Sequence, residues 1–494
     1  MKKVPSGISP LIAVDRRQRI PLQRQIYEGY RSAILEHNLR PGERVPSTRL
    51  LAGELGVSRI PILNAYAQLQ AEGYFEMRVG AGTVVSHSLP DEIPQFWKSR
   101  NSETEPRAHR SRRLSRLSSL LPTGKSVLAR GPGAFSINQV ALDQFPFRIW
   151  NSLILRHCRR SSMDSLNYGD AMGVKELRAA IAAYVRTARG VRCEAEQVMI
   201  VSGSQQALEV AMRVLLDPGD SVWMEEPGYT LARNIFLLHG CRIVPVAVDE
   251  EGLNVAAGLK LQRKARAAFV TPSHQHPLGV TMSAARRLQL LEWAERSGAW
   301  ILEDDYDSEY RFETMPISSL QGLDAGDRVI YIGTLSKVLF PSLRLGYLVI
   351  PADLIPRFRV ARVAMDISPP VFPQLVLADF IREGHFSRHL RRMRTLYAQR
   401  RQVMMRTIQE ELGADAEVLG AQAGMNLSVI LPKIRDQEIA DEAARQGLWL
   451  VPLSASYLRK PARQGFILGF GNTSEEQIVA GIRKMAALVK RTRG

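Results

Sequence analysis

The run Gly333-Thr-Leu-Ser-Lys-Val-Leu-Phe-Pro-Ser-Leu-Arg-Leu-Gly-Tyr347 places a hydroxyl three residues before a lysine and an arginine seven after it. A buried lysine amine is a nucleophile that condenses with carbonyls. An arginine with a hydroxyl beside it clamps a phosphate. Lys337, Thr334 and Arg344 therefore read as the footing of a phosphorylated aldehyde cofactor. Upstream, Gly203-Ser-Gln205 stands where a helix opens, so its amides face an anion. Glu303-Asp-Asp-Tyr306 closes an apolar run with carboxylates and a phenol, and Glu226-Pro-Gly-Tyr229 ends on an aromatic ring.

These are the parts that pyridoxal phosphate requires. Lys337 would form the imine, with the phosphate held by Gly203, Ser204, Gln205, Thr334 and Arg344. An acid of the 303–305 run would keep the ring nitrogen protonated, which makes the ring an electron sink. The Tyr306 hydroxyl would meet the ring oxygen, and Tyr229 would stack. Each part alone has a plainer explanation, since Ser-Lys pairs are common and acidic runs often mark the surface at a strand end. The order of all of them together is the specific signal.

Elements must position these groups. Short apolar runs at 197–201, 221–224, 267–271, 299–303 and 329–333 read as strands, with helices at 205–216 and 284–297. Such alternation implies an α/β domain with a largely parallel sheet, covered on both faces, with ligands at the strand ends. A second α+β lobe is expected from about residue 370.

The first 85 residues are of another kind. Leu22, Ile26, Tyr30 and Ile34 share one helical face, and Ser47 is a good cap for a helix over 48–55. Gly56-Val-Ser58 makes a tight turn, Ser58 capping the next helix, in which Pro61 is tolerable at the first turn. Ile62, Leu63, Tyr66 and Leu69 supply its buried side. Residues 75–85, broken by Gly80-Ala-Gly-Thr83, form a two-stranded wing. A helix–turn–helix reading puts Ser58, Arg59 and Asn64 at the major groove of duplex DNA and Ser47, Thr48 and Arg49 near phosphates. Gly82 and Thr83 of the wing complete the DNA-binding set. The plainer reading is a three-helix bundle with a hairpin.

Bulk properties agree. At 494 residues the chain exceeds one core. Its composition, 45% hydrophobic and 23% charged, is that of a soluble globular protein. The absence of a membrane-length apolar stretch and of a secretory signal leads to a cytoplasmic expectation. Cys158, Cys193 and Cys241 lack metal-ligand spacing; no metal is expected, and they read as free thiols of a reducing cytosol. Net charge is +17, with 12 basic against 7 acidic residues in 1–85 and 9 against 4 in 86–130. That surplus suits a phosphate backbone. Residues 86–126 form a basic linker, read as a tether or as a second contact with the DNA backbone. The expected domains are thus 1–85, 86–126 and 127–494.

The N-terminal order Pro-Leu-x-x-Gln-Ile, Leu-x-Pro-Gly-x-x-Val-Pro-Ser-Thr-Arg, Leu-Gly-Val-Ser-Arg, Gly-x-Gly-Thr resembles the GntR superfamily of winged-helix repressors. The later series Ser-Gly-Ser-Gln-Gln, Glu-x-Pro-x-Tyr, Thr271-Pro-Ser-His-Gln, Glu303-Asp-Asp-Tyr-Asp-Ser-Glu and Gly-Thr-x-Ser-Lys resembles the fold-type I aminotransferase domain. Fused, the two are similar to the MocR subfamily of regulators. The resemblance implies Lys337 as the Schiff-base lysine, Asp304 on the pyridine nitrogen, Tyr306 on the phenolic oxygen, Tyr229 stacking, and Ser204, Gln205, Thr334 and Arg344 at the phosphate. It also implies a swapped head-to-tail homodimer in which Tyr168 reaches the neighbour's phosphate.

The chain departs from the pattern in four places. Ile60-Pro61 replaces a small polar residue and Thr. His276 stands where many relatives have an asparagine facing the ring oxygen. Ile467 takes the place of a carboxylate-clamping arginine, with Arg459 and Arg463 nearby as substitutes, and Asn138-Gln-Val140 replaces a Gly-x-Pro loop. The expected function is a DNA-binding regulator that senses an amine or amino acid through the imine at Lys337, or pyridoxal phosphate itself. The alternative is an aminotransferase with an appended DNA-binding module. The departures count against turnover.

Overall fold

The computed structural model describes residues 12–78, 82–89, 114–121, 133–160, 166–312 and 318–493. The chain divides into two compact units, Met1–Arg113 and Leu114–Gly494.

The first unit holds α1 (Leu22–Leu35), α2 (Thr48–Leu55), α3 (Arg59–Ala71) and the antiparallel pair β1 (Phe75–Arg78) and β2 (Gly82–Val85), with Phe75 opposite Val85. α2 begins where expected because Ser47 Oγ accepts the Leu50 amide at 3.3 Å, and it ends at Gly56, which is left-handed with φ 61°. Tyr30, Tyr66 and Phe75 meet edge to face at the centre, with centroids 5.1–5.4 Å apart. Two expectations need correction. Leu63 is 42% exposed and Ala65 is buried in its stead, and Ser58 occupies the cap position of α3 without a side-chain bond to the helix. Ile12 and Leu89 join this core, which therefore extends past residue 85. Gly80 and Ala81 of the wing lie outside the described residues, as do 90–113 and 122–126 of the expected linker.

In the second unit eight strands form one sheet: β3 (Val198–Val201), β4 (Ser221–Glu226), β5 (Arg242–Asp249), β6 (Gly252–Leu253), β7 (Ala267–Val270), β8 (Trp300–Asp305), β9 (Val329–Thr334) and β10 (Gly346–Val349). Their order is β3-β10-β9-β8-β7-β4-β5-β6. From β9 to β5 the neighbours are parallel, as expected. β10 runs antiparallel to both β3 and β9, and β6 antiparallel to β5. The reversal at β10 follows from its connection, because only residues 335–345 separate it from β9, too few for a helical crossover. The lysine sits in that return.

Both faces of the sheet are covered. Phe269, Leu302, Ile332 and Leu348 pack with Leu208 of the helix Ser204–Leu215 and Phe358 of the helix Ile355–Asp366. The alternate residues Ala268, Val270 and Ile301 pack with Leu290 and Trp293 of the helix Ala284–Ser297. Period-two alternation within buried strands thus feeds two cores.

The smaller sheet consists of β11 (Glu417–Leu419), β12 (Asn426–Ile430), β13 (Val451–Pro452) and β14 (Gly465–Gly469) in the order β11-β12-β14-β13, all antiparallel. It is not built from residues beyond 370 alone, because Ala134 and Phe135 bridge to Leu448 and Gly469. The long helix His385–Leu412 leads into it. Among the described residues, no helix is long and apolar enough to cross a membrane.

Candidate functional site

A cavity of about 190 Å³ opens where β3, β4, β7, β8 and β9 end, the usual place for ligands in such sheets. Lys337, Asp304, Tyr306, Tyr229, Gly203, Ser204, Gln205, Thr334, Arg344 and His276 all line it. Tyr168 does not, and is 78% exposed.

The acid run at the end of β8 shows how the fold distinguishes three adjacent carboxylates. Glu303 accepts the amides of Leu320 and Gln321 at 2.8 and 3.0 Å, opening a short helix. Asp305 is ion-paired with Arg189 at 2.7 Å and accepts the Tyr331 hydroxyl at 2.5 Å, and these partners hold its carboxyl below the usual range. Asp304, between them, is buried on the cavity wall, and its Oδ1 has no hydrogen-bond partner. Burial and the neighbouring Asp305 push its carboxyl up to about 7, against the pull of Lys337. It is the acid left for a ligand.

Burial brings the Lys337 amine down to about 8, with Asp307 and Asp304 opposing the shift. The neutral, nucleophilic form is therefore a minority near neutral pH, but far more populated than for a lysine in water. Its Nζ donates to the Asn138 carbonyl at 3.3 Å. The lysine's main chain is fixed from two sides, Tyr310 Oη donating to the Lys337 carbonyl at 3.3 Å and His389 Nε2 meeting the Val338 carbonyl at 3.1 Å.

At the other end of the cavity the helix Ser204–Leu215 starts after Gly203, whose φ is 89°. A Cβ there would stand 3.3 Å from the Arg344 guanidinium, and one on Gly346 would stand 2.9 Å from the Gly203 Cα. Only glycines let the strand, the helix start and the arginine converge. Arg344 donates to the Ser202 carbonyl at 2.6 Å. Gln205 Nε2 and Ser336 Oγ are buried donors without partners. Amides, a guanidinium and spare donors make this end a site for an anion.

The ring-sized space between these ends is walled by Tyr229, against which His276 packs edge to face at 5.4 Å. Burial, with His274 and Lys337 close by, pushes the His276 imidazole down to about 3, so it is neutral. The Tyr306 hydroxyl lies 3.2 Å from His274 Nδ1, and the same nitrogen lies 3.1 Å from Asp307. Glu225 anchors the loop that carries His276, accepting from Thr271 Oγ1 at 2.7 Å and Gln275 Nε2 at 3.2 Å. The turn before Tyr229 is latched to the second lobe. Glu226 accepts the Leu458 and Arg459 amides at 2.8 and 2.7 Å, and the Gly228 amide donates to Ser456 at 3.1 Å.

In the first unit, Arg59 Nε donates to Thr48 Oγ1 at 3.0 Å, which joins the starts of α2 and α3. Ser47, Arg49, Ser58, Arg59, Asn64 and Gly82 are exposed, and Thr48 and Thr83 are half-buried.

Residues 22–85 match the family of bacterial regulatory proteins named gntR, and residues 134–468 match aminotransferase class I and II. The probable rhizopine catabolism regulatory protein MocR of Rhizobium meliloti is 40% identical, over 96% of this chain and 95% of that protein. The chain belongs to the MocR subfamily of GntR-type regulators. The pyridoxine biosynthesis transcriptional regulator PdxR of Corynebacterium glutamicum is 31% identical over 94% of this chain and 96% of its own length. Among solved structures, the alpha-aminoadipate aminotransferase LysN of Thermus thermophilus, complexed with N-(5'-phosphopyridoxyl)-L-leucine, is 27% identical with a TM-score of 0.69. The match covers 99% of that chain but 77% of this one. The regulators match from end to end and the enzyme over the body alone, so this MocR-type chain is a DNA-binding transcriptional regulator with an aminotransferase-like domain.

Several residues of the regulator's cavity escaped the sequence reading. Ser336, Thr271 and Leu231 line it. Ser336 could have been found as the neighbour of the lysine; the others come from loops that only the sheet order brings together. Arg44 was also missed. It bridges to Val84, and its guanidinium lies 3.4 Å from where a Cβ on Gly82 would stand. The proposed substitutes for a carboxylate clamp are corrected: Arg459 and Arg463 are exposed and do not line the cavity, and Arg463 faces Glu417 at 3.5 Å. Ile467 is buried among Leu278, Ile430, Val451 and Leu453.

Proposed function

We propose that the cavity holds pyridoxal 5'-phosphate on Lys337 and that the state of this site governs how the winged helix occupies its operator. The observation that carries the reading is the unpartnered Asp304 carboxylate facing a buried lysine, with the anion end of the cavity beyond them. When bound, the cofactor would supply an electrophilic carbon and an electron-withdrawing ring. Asp304 would hold a proton at the pyridine nitrogen, and Tyr306 would donate to the ring oxygen. Tyr229 would stack on the ring beside a neutral His276. Ser204, Gln205, Thr334 and Arg344 would hold the phosphate, joined by Ser336. Lys337 would serve as the covalent anchor.

The signal is then an amine or amino acid that competes with Lys337 for the cofactor, or the arrival of the cofactor itself. The first version suits a relative named for catabolism of a metabolite, the second a relative named for pyridoxine biosynthesis. In either case an occupant shifts the regulator only by its differential affinity for two arrangements. Three domains near the expected limits of 1–85, 86–126 and 127–494, the first carried on to Leu89 by its core, a cytoplasmic location and a head-to-tail homodimer belong to the same reading. The high exposure of Tyr168 supports its reaching into a neighbouring site. On the DNA side, Arg59 and Asn64 would read bases and Ser47, Thr48 and Arg49 would hold phosphates, with Ser58, Gly82 and Thr83 alongside.

Borohydride reduction of the cofactor-loaded protein followed by peptide mapping tests the anchor. Label is expected on the peptide that contains Lys337, and label elsewhere, or none, would overturn the reading. Titration with a panel of amines and amino acids, followed by visible absorbance alongside operator binding, separates the two versions.

A further inference from the structure

From His385 to Gln409 the long helix carries seven arginines and no Asp or Glu. Arg388, Arg391, Arg392 and Arg394 are exposed in its first half. Among the described residues none of these four is paired with a carboxylate. Arg388 donates to the Glu383 carbonyl at 3.1 Å and Arg394 to the Glu309 carbonyl at 2.6 Å, and Arg392 donates to the Gln144 carbonyl. Histidines are the other neighbours, His385 Nδ1 lying 2.7 Å from Arg388 and His389 Nδ1 3.5 Å from Arg392. Of the nearby acids, Asp379 is engaged by Arg156, His157 and Arg382, and Glu383 by Arg156 and His385. The exposed Glu176 borders the same groove as Arg391 and Arg394 without an ion pair to either among the described residues.

The arrangement is costly for the fold. Arg388 stands three and four residues from Arg391 and Arg392, a spacing at which like charges repel on a helix surface. Cations near the start of a helix also oppose its macrodipole. Among the described residues no ion pair offsets this charge, whereas an anionic partner would.

We propose that this face is a second nucleic-acid surface, on which the body of the regulator holds duplex phosphates through Arg388, Arg391, Arg392 and Arg394. The scarcity of exposed large apolar side chains chooses between partners, since Phe386 and Leu390, which floor the groove that Arg391 and Arg394 border, are buried. No large hydrophobic residue of this helix is exposed among the described residues. A protein interface generally needs an apolar core, whereas a phosphate backbone asks only for charge. From Arg388 to Arg394 the helix rises about 9 Å, over which one DNA strand, at about 3.4 Å per step, presents two to three phosphates. The contact would be blind to sequence, so it adds affinity for DNA flanking the operator without choosing it.

The test uses the full chain and a long mixed-sequence duplex, with affinity measured by anisotropy across a series of salt concentrations. In the triple variant Arg388→Gln, Arg391→Gln, Arg392→Gln, the slope of log K against log salt should become shallower by about 0.9 for each phosphate left without its arginine. The corresponding triple substitution by lysine should restore it. Arg391, whose side chain makes no hydrogen bond among the described residues, provides a single variant, Arg391→Gln, should the triple fail to fold. An unchanged slope in a folded variant would overturn the proposal and leave the ridge to an acidic protein partner.

Discussion

The two units hold their functional groups in opposite ways. In the winged helix the side chains proposed to face DNA are mostly exposed and some are already bonded to one another, as Arg59 is to Thr48. In the body the corresponding groups range from buried Asp304 and Thr334 to exposed Arg344, and several of their buried atoms have no partner: Asp304 Oδ1, Gln205 Nε2 and Ser336 Oγ. An exposed group waits for its ligand in water at little cost, whereas a buried orphan has given up water and gained nothing in return. The body is therefore the part of the regulator whose stability should depend on occupancy. The reader should be indifferent to it.

The strongest challenge to this contrast is Lys337→Ala. The borohydride-fixed cofactor should vanish from the mapped peptide, while binding of the winged helix to a short duplex persists. Asp304→Ala should come next, weakening cofactor binding by roughly 3–5 kcal/mol, the scale for removing one member of a buried charged pair, read by equilibrium dialysis. The milder Asp304→Asn sharpens the same point through pH. In the cofactor-free protein the folded carboxyl titrates near 7 and the unfolded one near 3.8. Between those values the unfolded chain has released a proton that the folded chain keeps, so this group makes stability fall as pH rises. The variant should show a flatter melting temperature between pH 4 and 7, and an unchanged profile would mean that Asp304 is not the strained acid.

Smaller effects are expected in the reader. Arg59→Ala should cost about 1–3 kcal/mol of operator affinity if the arginine reads a guanine, with cofactor uptake unaltered. Ser47→Ala should remove about 1 kcal/mol of stability by removing the α2 cap, measurable by thermal unfolding of the full chain.

The same contrast explains what the sequence made legible. The helices Thr48–Leu55 and Ala284–Ser297 came out with the expected ends because each is marked by a serine cap and a left-handed glycine, Ser47 with Gly56 and Ser283 with Gly298. Local chemistry writes local boundaries. The residues proposed to hold the cofactor were legible as an ordered set of motifs, and the cavity gathers all of them except Tyr168. Three adjacent acids look alike by residue type; the resemblance singled out Asp304, and Arg189, Tyr331 and the amides of Leu320 and Gln321, far apart in the chain, give the physical reason. Leu63 misled for a related reason, since helical spacing gives a face but not what covers it. The reversal of β10 went unread because Gly346–Val349 was not taken as a strand, so the short return from β9 had nothing to close on.

The latch at Glu226 has a mechanical consequence. Its carboxylate grips the main chain of the loop at 458–459, and Gly228 grips Ser456, so the turn that ends in Tyr229 and the rim of the smaller sheet form one stiff linkage. A tilt of that sheet would be delivered straight to the aromatic wall of the cavity, and a push on that wall would travel outward by the same lever.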